Sequence, residues 1–374
     1  MSLPTGFWAD EGDRWVHLRT GSVSGGVPGG DGESLTGIPD EGEGFLLGMY
    51  VSSMSSFTSL ETAIGREFDA TMRYRDSNAG TPWPLSEEQP IINRGNVFRY
   101  PLESRVFNYA SYTPPAGVPA PGWDHVNPAN GERYVGYTHA QIYNGQMDVW
   151  LAKVFNALKA QEATGTTFIV DWDHEMDDNR RVLANNTGDW GIITHNRSQA
   201  FSNPADPDPA EFIAAHRYMV EFARDMDVTN VLWGFCPAGW TLNRNSARLG
   251  ELYPGDAWTD LIMWDPYNNS ASNWRTFAQI VAPVYNAIDG GLFGEGAKTK
   301  ARMLGEFGAL TNDSRRATWI TDIATHAQDL PKLRGALWFS SGTWGAIHGT
   351  DGTATERAAL ATLMDHPYLN DWKA

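Results

Sequence analysis

The sequence predicts an α/β fold, a single (β/α)8 TIM barrel over residues 45–374 that follows a short glycine-rich N-terminal arm, residues 1–44. Three features of the sequence support this prediction. The chain has 374 residues and is 41% hydrophobic, which is enough to bury a large core, and barrels of this length occur as one domain. Short apolar runs alternate with helical patterns along most of the chain, as in parallel β/α architectures. The apolar runs number eight, the number of strands in this type of barrel.

The eight predicted strands are short runs rich in β-branched and aromatic residues. They span residues 45–51, 70–74, 96–101, 166–172, 231–236, 261–264, 302–306 and 335–339. Apolar residues at helical spacing predict helices at 147–160, 209–226, 274–288, 316–327 and 354–364. Two loops rich in proline and aromatic residues, 76–95 and 108–140, are expected to decorate one rim of the barrel.

The N-terminal arm differs from the rest of the chain in composition. Nine glycines fall between residues 21 and 44, and residues 14–19 form a short strand candidate before them. We expect an arm or linker that contains a hairpin, with an ordinary disordered tail as the alternative. Its sequence identifies no protein partner.

Charge and composition restrict the partners of this protein. The net charge of −17 argues against nucleic acid or an anionic membrane as a partner, and it suits a neutral substrate. No membrane insertion is expected, because no apolar run is long enough to be a transmembrane segment. The aromatic content of 12% serves core packing, but aromatic faces also bind the apolar surfaces of sugars. Residues 1–18 lack the apolar core of a secretory signal. The single cysteine, Cys236, excludes an intrachain disulfide and reads as a core residue rather than a nucleophile.

Carboxylates follow the fourth predicted strand, residues 166–172, at unusual density. They are Asp171, Asp173, Glu175, Asp177 and Asp178. Such a cluster is costly to bury unless it opens into a hydrated cleft, so it marks a candidate functional site. A calcium loop does not fit because Met176 occupies the position of the required glycine, and a zinc helix does not fit because residue 178 is not histidine. No metal and no cofactor is expected.

The carboxyl ends of the strands, where barrel enzymes place their active residues, carry a second acid. Glu306 ends the seventh predicted strand, with Gly305 and Gly308 leaving room for a bulky substrate, and Glu175 follows the fourth. Two carboxylates facing each other across a cleft are what glycosidic bond cleavage requires. Trp240 and Trp338, near the ends of the fifth and eighth strands, are candidate sugar platforms, with burial in the core as the alternative for each.

These motifs, in this order, resemble glycoside hydrolase family 26, whose best-known members are β-mannanases. The resemblance extends over roughly residues 45–345. It rests on residues 64–69, 142–148, 174–176, 212–217, 229–233, 253–256 and 265–267, together with Asp260 and Glu306.

The resemblance implies a retaining, endo-acting hydrolase of a neutral β-mannan or related β-glycan. Glu306 would be the nucleophile and Glu175 the acid/base, with carboxyl groups about 5–5.5 Å apart. The resemblance further implies that Tyr267 contacts Glu306 and that His174 hydrogen-bonds the substrate or the surroundings of the nucleophile. Trp172 and Asp265, beside these motifs, are further substrate-binding candidates. Because residues 171, 173 and 175 share one face of an ideal strand, the acids are expected to crowd Glu175 and favour its protonated form.

The sequence departs from the family pattern around the acid/base motif. Where the family has Arg-Pro before this motif and Asn-Gly followed by Trp after it, this chain has Asp171-Trp172, then Asp177-Asp178 and Arg180. Residues 186–203 resemble an inserted loop. These differences predict a substrate preference unlike that of an ordinary mannanase.

The resemblance implies action outside the cell or at its surface. The glycine-rich arm leaves an alternative open, in which the same barrel serves as a glycan-binding or glycan-degrading part of an assembly such as a virion tail. A barrel that only binds glycans is the less favoured reading, because both glutamates are present.

Overall fold

Eight parallel strands close into a barrel in the computed structural model of the chain. They are β1 (Leu46–Tyr50), β2 (Ala70–Met72), β3 (Val97–Glu103), β4 (Phe168–Trp172), β5 (Val231–Phe235), β6 (Leu261–Trp264), β7 (Ala301–Ala309) and β8 (Leu333–Phe339). Each strand pairs with the next in the chain, and β8 pairs with β1. The predicted (β/α)8 barrel is therefore confirmed. The structure describes residues 7–10, 15–18, 35–77, 83–106, 112–114, 116–126, 133–177, 209–239, 242–341, 345–347 and 352–370.

Helices connect the strands. They are α1 (Met54–Ile64), α2 (Gln89–Ile92), α3 (His139–Tyr143), α4 (Asp148–Lys159), α5 (Pro209–Asp225), α6 (Leu242–Glu251), α7 (Phe277–Asp289), α8 (Arg316–Thr321), α9 (Ile323–Gln328), α10 (Ala354–Met364) and α11 (Pro367–Asn370). Helices α4, α5, α7 and α10 agree with the sequence predictions. The predicted helix 316–327 is divided at Asp322 into α8 and α9.

Helix α1 was not predicted, because its exposed positions are mostly serine and threonine and therefore resemble a loop. Its buried residues, Met54, Phe57, Leu60 and Ile64, nevertheless recur at helical spacing. The Ser53 side chain accepts a 3.1 Å hydrogen bond from the backbone N–H of Ser56 at the start of the helix. Such a cap satisfies one of the donors that a helix start leaves unpaired.

The two predicted rim loops contain more regular structure than expected. Loop 76–95 includes α2, and the region 105–136 forms a three-stranded antiparallel sheet from Arg105–Val106, Trp123–Val126 and Arg133–Gly136. The turn-rich composition of these segments obscured their short strands.

The barrel interior changes from apolar to polar along its axis. Its apolar part is a cluster that includes Leu46, Ala70, Val97, Ile169, Met263 and Met303. Arg99 and Asp171, each two residues beyond a member of this cluster, lie fully buried towards the carboxyl ends of β3 and β4. Because alternate strand residues face the same side, the charged pair lies directly above the apolar floor.

The N-terminal residues contribute a hairpin and a packed segment. Phe7–Asp10 pairs in an antiparallel manner with Trp15–Leu18. Leu35 and Ile38 are buried in the apolar cluster of the barrel interior, so the chain packs with the barrel from residue 35 onward. The boundary at residue 44 between the N-terminal arm and the barrel stays a prediction. No helix among the described residues is long and apolar enough to cross a membrane.

Candidate active site

Glu306 lies on β7 with its side chain largely buried, at 5% exposure. The carboxylate accepts hydrogen bonds from two tyrosines: Tyr267 donates to Oε2 at 2.6 Å, and Tyr74 donates to Oε1. The backbone N–H of Glu306 donates to Asp265 Oδ1 at 2.7 Å, which fixes the main chain at this position. The implied contact between Tyr267 and Glu306 is thus present.

His174 adds a third group to this carboxylate, with Nε2 lying 3.1 Å from Glu306 Oε1 and 3.3 Å from Asp265 Oδ2. The other ring nitrogen, Nδ1, lies 2.9 Å from Arg99 Nη2. Burial lowers the pKa of His174, which favours the neutral ring. A neutral imidazole has one donor nitrogen and one acceptor nitrogen. The ring therefore connects Arg99 with the nucleophile candidate.

Burial controls the ionisation of the acids around Glu306. It raises the pKa of Glu306 to about 8. Burial, followed by the charge of Glu175, raises the pKa of Asp265 well above its usual range. The tyrosine hydroxyls act in the opposite direction on Glu306, because donors to a carboxylate favour its charged form. Asp265 thus supports the backbone of Glu306, and its buried position does not favour the predicted contact with substrate.

Glu175 is carried on a turn and not on the strand itself. Strand β4 ends at Trp172, and both Asp173 and Glu175 have a φ of 52°, in the left-handed region. The backbone N–H of Glu175 donates to Cys236 O at 2.9 Å, and the side chain is partly exposed. The prediction that residues 171, 173 and 175 share one face is therefore wrong, because the turn breaks the alternation of the strand.

The other acids of this segment each have a partner of their own. Asp171 pairs with Arg99, and Asp173 accepts from the backbone N–H of Ser104 at 3.0 Å and lies 2.8 Å from His139 Nε2. Asp177 is fully buried and accepts a 2.6 Å hydrogen bond from the backbone N–H of Ala238. Because each of these acids is engaged by its own partner, they do not crowd Glu175 as predicted. These contacts also place Asp177 in the turn scaffold, outside the predicted sugar subsite, while residues 178 and 180 lie outside the described residues.

The structure explains the glycine at position 305 differently from the sequence prediction. A side chain at this position would place its Cβ 2.5 Å from Cys236 Sγ and 2.8 Å from Asp265 Oδ1. Glycine is thus needed for packing inside the barrel, and Gly305 does not make room for substrate. Cys236 itself is fully buried, and burial raises the pKa of its thiol well above the usual range, as expected of a core cysteine.

Two of the predicted tryptophan contacts are corrected. Trp338 is fully buried, packs against Phe307 and Trp319, and donates through Nε1 to Gly345 O at 2.7 Å. Trp172 is also fully buried and lies edge-to-face with His139. Both belong to the large cluster that also contains the helix residues, so neither presents a face to the cleft. Trp240, the third predicted aromatic, lies outside the described residues.

A different set of aromatic residues surrounds Glu306. The rings of Tyr50 and Phe339 stack with centroids 4.7 Å apart and planes 5° from parallel. Tyr74 meets Tyr50 edge-to-face at 5.7 Å, and Tyr267 meets Phe339 at 6.4 Å. All four rings are partly exposed. Tyr50, Tyr74 and Phe339 were not assigned a role from the sequence, although each lies at or near the carboxyl end of a predicted strand.

The acids and His174 come close enough together to raise the question of a metal ion. Potential ligand atoms of His174, Asp265 and Glu306 lie within 4.8 Å of one another, as do those of Asp171, His174 and Cys236. The guanidinium of Arg99 hydrogen-bonds two residues of the second group, so a cation there would face a positive charge at short range. In the first group, tyrosine donors already engage Glu306. Hydrogen bonds therefore account for both groups.

Residues 124–324, just over half of the chain, match the model of Glycosyl hydrolase family 26. The chain belongs to this family. The resemblance found in the sequence motifs is thereby confirmed.

Curated relatives of this family 26 chain are larger than the region they share with it. Endoglucanase H of Acetivibrio thermocellus is 21% identical over 346 residues, which cover 89% of this chain and 32% of that protein. A mannan endo-1,4-β-mannosidase of Bifidobacterium adolescentis is 27% identical over 138 residues, which cover 37% of this chain and 12% of that protein. The chain thus spans about a third or less of the length of these relatives.

Solved structures share the fold at low sequence identity. The family 26 domain of an endo-β-mannanase/endo-β-glucanase from Prevotella bryantii aligns with a TM-score of 0.56 and 12% identity, covering 88% of this chain and 90% of that domain. A β-mannanase from a symbiotic protist of the termite Reticulitermes speratus aligns with a TM-score of 0.52 and 14% identity, covering 85% and 86%. At these identities the similarity concerns the barrel fold.

Proposed function

We propose that this family 26 chain is a retaining, endo-acting hydrolase of a neutral β-linked polysaccharide of the mannan type or a related β-glycan. Glu306 acts as the nucleophile and Glu175 as the acid/base. The observation that carries this proposal is the set of contacts on Glu306. Two tyrosine hydroxyls and an imidazole nitrogen surround its carboxylate, and no described lysine or arginine side chain is paired with it in an ion pair.

These contacts suit an attacking carboxylate. Hydrogen-bond donors hold both oxygens in place and favour the charged form, while the absence of a paired cation among the described contacts leaves the charge available for attack. A buried structural glutamate would instead pair with arginine or lysine, as Glu61 of helix α1 does with Arg94 at 2.9 Å. The partly exposed rings around Glu306 offer apolar surface to a sugar.

Glu175 is suited to the second role by its place on a turn. Its side chain is partly exposed, so it can reach both a leaving glycosidic oxygen and a water molecule. Its backbone is anchored through the oxygen of Cys236, the residue after β5, and its neighbours on the turn are bound by residues of other elements. A turn with a fixed backbone and a partly exposed carboxyl suits proton transfer to a bound substrate.

The reaction then proceeds in two displacements. In the first, a carboxylate oxygen of Glu306 attacks the anomeric carbon while Glu175 gives its proton to the leaving oxygen. The glycosidic bond breaks, and an ester forms between the sugar and Glu306. In the second, Glu175 takes a proton from water, and the resulting nucleophile attacks the same carbon and breaks the ester. Glu306 returns as a carboxylate, Glu175 as the acid, and the product keeps its original anomeric configuration.

Charge and similarity support the substrate class. A chain with a net charge of −17 repels acidic polysaccharides, so a neutral glycan is favoured. Similar proteins are named as a mannan endo-1,4-β-mannosidase and an endoglucanase. We expect a preference different from that of an ordinary mannanase, because Asp178 and Arg180 replace residues of the family pattern. Action outside the cell, and the alternative of a virion tail component, both stay predictions.

A panel of neutral β-glycans, screened for reducing ends and oligosaccharide products, tests this function. The unaltered chain should release oligosaccharides from at least one β-linked glycan. Glu306→Ala should abolish cleavage of both polysaccharide and activated aryl glycosides, because every substrate needs the nucleophile. Glu175→Ala should lose polysaccharide cleavage but keep the first step on aryl glycosides that leave without protonation.

Added azide sharpens the assignment. It is small enough to enter the space vacated by the Glu175 carboxyl and should restore sugar release in Glu175→Ala but not in Glu306→Ala. Glu295→Ala, at a glutamate 87% exposed and paired with Lys298, serves as a control that should leave turnover unchanged. Equal loss of both substrate types in both glutamate variants, without azide rescue, would contradict the assigned roles.

A further inference from the structure

Arg99 is a fully buried cation inside the barrel, on β3 and directly below the mouth. Its Nε and Nη2 donate to the two oxygens of Asp171 at 2.8 Å each. Its Nη1 donates to the backbone oxygen of Gly305 at 2.7 Å, and its Nη2 lies 2.9 Å from His174 Nδ1. One guanidinium therefore joins the strand that carries Glu306 to the turn that carries Glu175.

The contact with His174 fixes the direction of a hydrogen bond. A guanidinium can donate but cannot accept, so Nδ1 of His174 must be the acceptor in this contact. In a neutral imidazole the proton then belongs to Nε2. Nε2, which then carries the proton, lies 3.1 Å from Glu306 Oε1 and 3.3 Å from Asp265 Oδ2.

The opposite tautomer would be unfavourable at the nucleophile. With the proton on Nδ1, the ring would present a nitrogen lone pair to the Glu306 carboxylate at a distance of 3.1 Å. Two lone pairs at this distance repel, and the carboxylate would lose a donor in a buried site. The nearest carboxylate oxygen to Nδ1 is Asp171 Oδ2 at 3.6 Å, which offers an alternative acceptor once the guanidinium is gone.

We propose that Arg99 is a positioning residue that sets the tautomer of His174, so that Nε2–H is held against the nucleophile. Through Gly305 it also holds the backbone immediately before Glu306. This inference rests on the proposed function only for its consequences in turnover. The tautomer itself is a property of the folded chain and can be measured without any substrate.

The alternative is that Arg99 only neutralises the charge of Asp171 in the core. Two variants distinguish these roles. Asp171→Asn removes the charge of the partner but keeps the donor on Nδ1, so the Nε2–H tautomer should persist. Arg99→Met removes the donor and keeps Asp171 Oδ2 as an acceptor 3.6 Å from Nδ1, so Nδ1 should gain a proton. Because an unpaired buried charge lowers stability, folding of this variant is measured together with the tautomer.

The control is a second fully buried arginine of the barrel. Arg302, at the amino-terminal end of β7, pairs at 2.7 Å with Asp289, which is 40% exposed, on the side of the barrel away from the mouth. Arg302→Met therefore removes a buried guanidinium without touching His174. It should affect thermal stability but neither the tautomer nor the pH profile.

The tautomer is read by ¹⁵N NMR on chains labelled at histidine, with the His174 signals assigned by their loss in His174→Asn. The unaltered chain and Asp171→Asn should show a protonated Nε2 and an unprotonated Nδ1. Arg99→Met, folded by circular dichroism, should show a protonated Nδ1. A protonated Nδ1 in the unaltered chain or in Asp171→Asn, or an unprotonated Nδ1 that persists in folded Arg99→Met, would overturn the proposal.

Turnover supplies the second readout. Folded Arg99→Met should lose about 10²-fold or more in kcat/KM, as expected when a histidine in an active site adopts the wrong protonation pattern. The acidic limb of its pH profile should move to higher pH, because Glu306 has lost a donor. Among the described residues, the titratable groups that face Glu306 are Tyr50, Tyr74, His174, Asp265 and Tyr267, and the charge of Glu175 acts on Asp265. An unchanged profile in folded Arg99→Met would overturn the proposal, whereas an unaltered chain without glycosidase activity would leave the tautomer result standing and refute only the proposed function.

Discussion

The hydroxyl of Tyr267 donates a 2.6 Å hydrogen bond to Oε2 of Glu306. The two residues approach each other because the short strand Tyr267–Asn268 pairs in parallel with Gly308 and Ala309, at the carboxyl end of the strand that carries Glu306. The hydroxyl and the carboxylate are thus aligned by backbone pairing rather than by loop contacts. A nucleophile held in this way is preorganised before substrate arrives.

Loss of this hydrogen bond should shift the pH dependence of turnover. Burial raises the pKa of Glu306 to about 8, and the Tyr267 donor opposes burial because it favours the carboxylate. Glu306 must be ionised to attack, so activity falls when the pH drops below its pKa. In Tyr267→Phe this pKa should rise, the acidic limb should move to higher pH, and kcat/KM at neutral pH should fall about 10-fold to 100-fold.

A matched control for this variant is Tyr218→Phe, which removes a 2.7 Å hydrogen bond to Asp148 on the helical layer. It should leave the pH profile in place. An acidic limb that stays where it is in Tyr267→Phe would contradict the role of this hydrogen bond.

Glu306 should also make folding stability depend on pH. Its pKa rises from 4.5 to about 8 on burial, so the folded chain keeps a proton that the unfolded chain releases within this window. The favourable contribution present below pH 4.5 is therefore lost progressively as the pH rises to about 8. Glu306→Gln removes this titration. Its melting temperature relative to the unaltered chain should increase with pH through the window, while Glu295→Gln should show a flat difference. A flat difference for Glu306→Gln would refute the raised pKa.

The contact between His139 and Asp173 should matter for the acid/base more than for the nucleophile. His139 Nε2 lies 2.8 Å from Asp173 Oδ2, two residues before Glu175 on the same turn. His139→Phe keeps a ring against Trp172 and Phe212 but removes this contact. We expect polysaccharide cleavage to fall about 10-fold or more, with a much smaller effect on aryl glycosides that leave without protonation. We also expect a loss of about 1–3 kcal/mol in the free energy of unfolding.

The comparison variant is His216→Phe, in helix α5 and away from the turn, which removes the 2.8 Å hydrogen bond from His216 Nε2 to Trp258 O. It should destabilise the chain and lower both activities equally, if at all. Equal losses on both substrates in His139→Phe would place its effect elsewhere than on Glu175.

Truncation of Phe339 should weaken substrate binding, whereas truncation of its neighbour Trp338 should lower stability. Phe339 is partly exposed and stacks on Tyr50, so Phe339→Ala should mainly raise KM for polysaccharide. Trp338 is fully buried among Phe307 and Trp319, so Trp338→Ala should lower the free energy of unfolding by about 3–5 kcal/mol. Chemical denaturation and Michaelis kinetics on both variants test this. A raised KM in Trp338→Ala with unchanged stability would restore the tryptophan as a sugar platform.

The sequence was sufficient for the barrel and for its principal acids because these depend on local patterns. Eight apolar runs at regular spacing predicted the strands, and the rule that strand ends carry chemistry located Glu175 and Glu306. The prediction that Trp338 contacts sugar was wrong for a related reason. Strands of a parallel barrel are buried on both faces, so their sequence does not alternate, and nothing distinguished the outward Trp338 from the inward Phe339.

Other features depended on contacts between distant residues. Arg99 is a charged residue within an apolar strand, which indicates that it has a buried partner. That partner, Asp171, lies 72 positions away in the sequence, so local patterns did not identify it. The turn after β4 places Asp173 and Glu175 at φ 52°, a conformation maintained by bonds to Ser104, His139 and Cys236. The alternation of side chains along a strand could not predict this turn, because local sequence alone does not impose its backbone conformation.

The central claim is that Glu306 forms a covalent bond with the sugar and that Glu175 is needed to break it. Glu175→Ala should therefore accumulate a glycosyl-enzyme from an aryl glycoside with a good leaving group, since the first step needs no acid and the second lacks its base. Intact-mass spectrometry followed by peptide mapping measures this directly. The account predicts a mass increase of one glycosyl unit on the peptide that contains Glu306, removed by azide. A labelled residue other than Glu306, or first-step turnover without any covalent species, would contradict it.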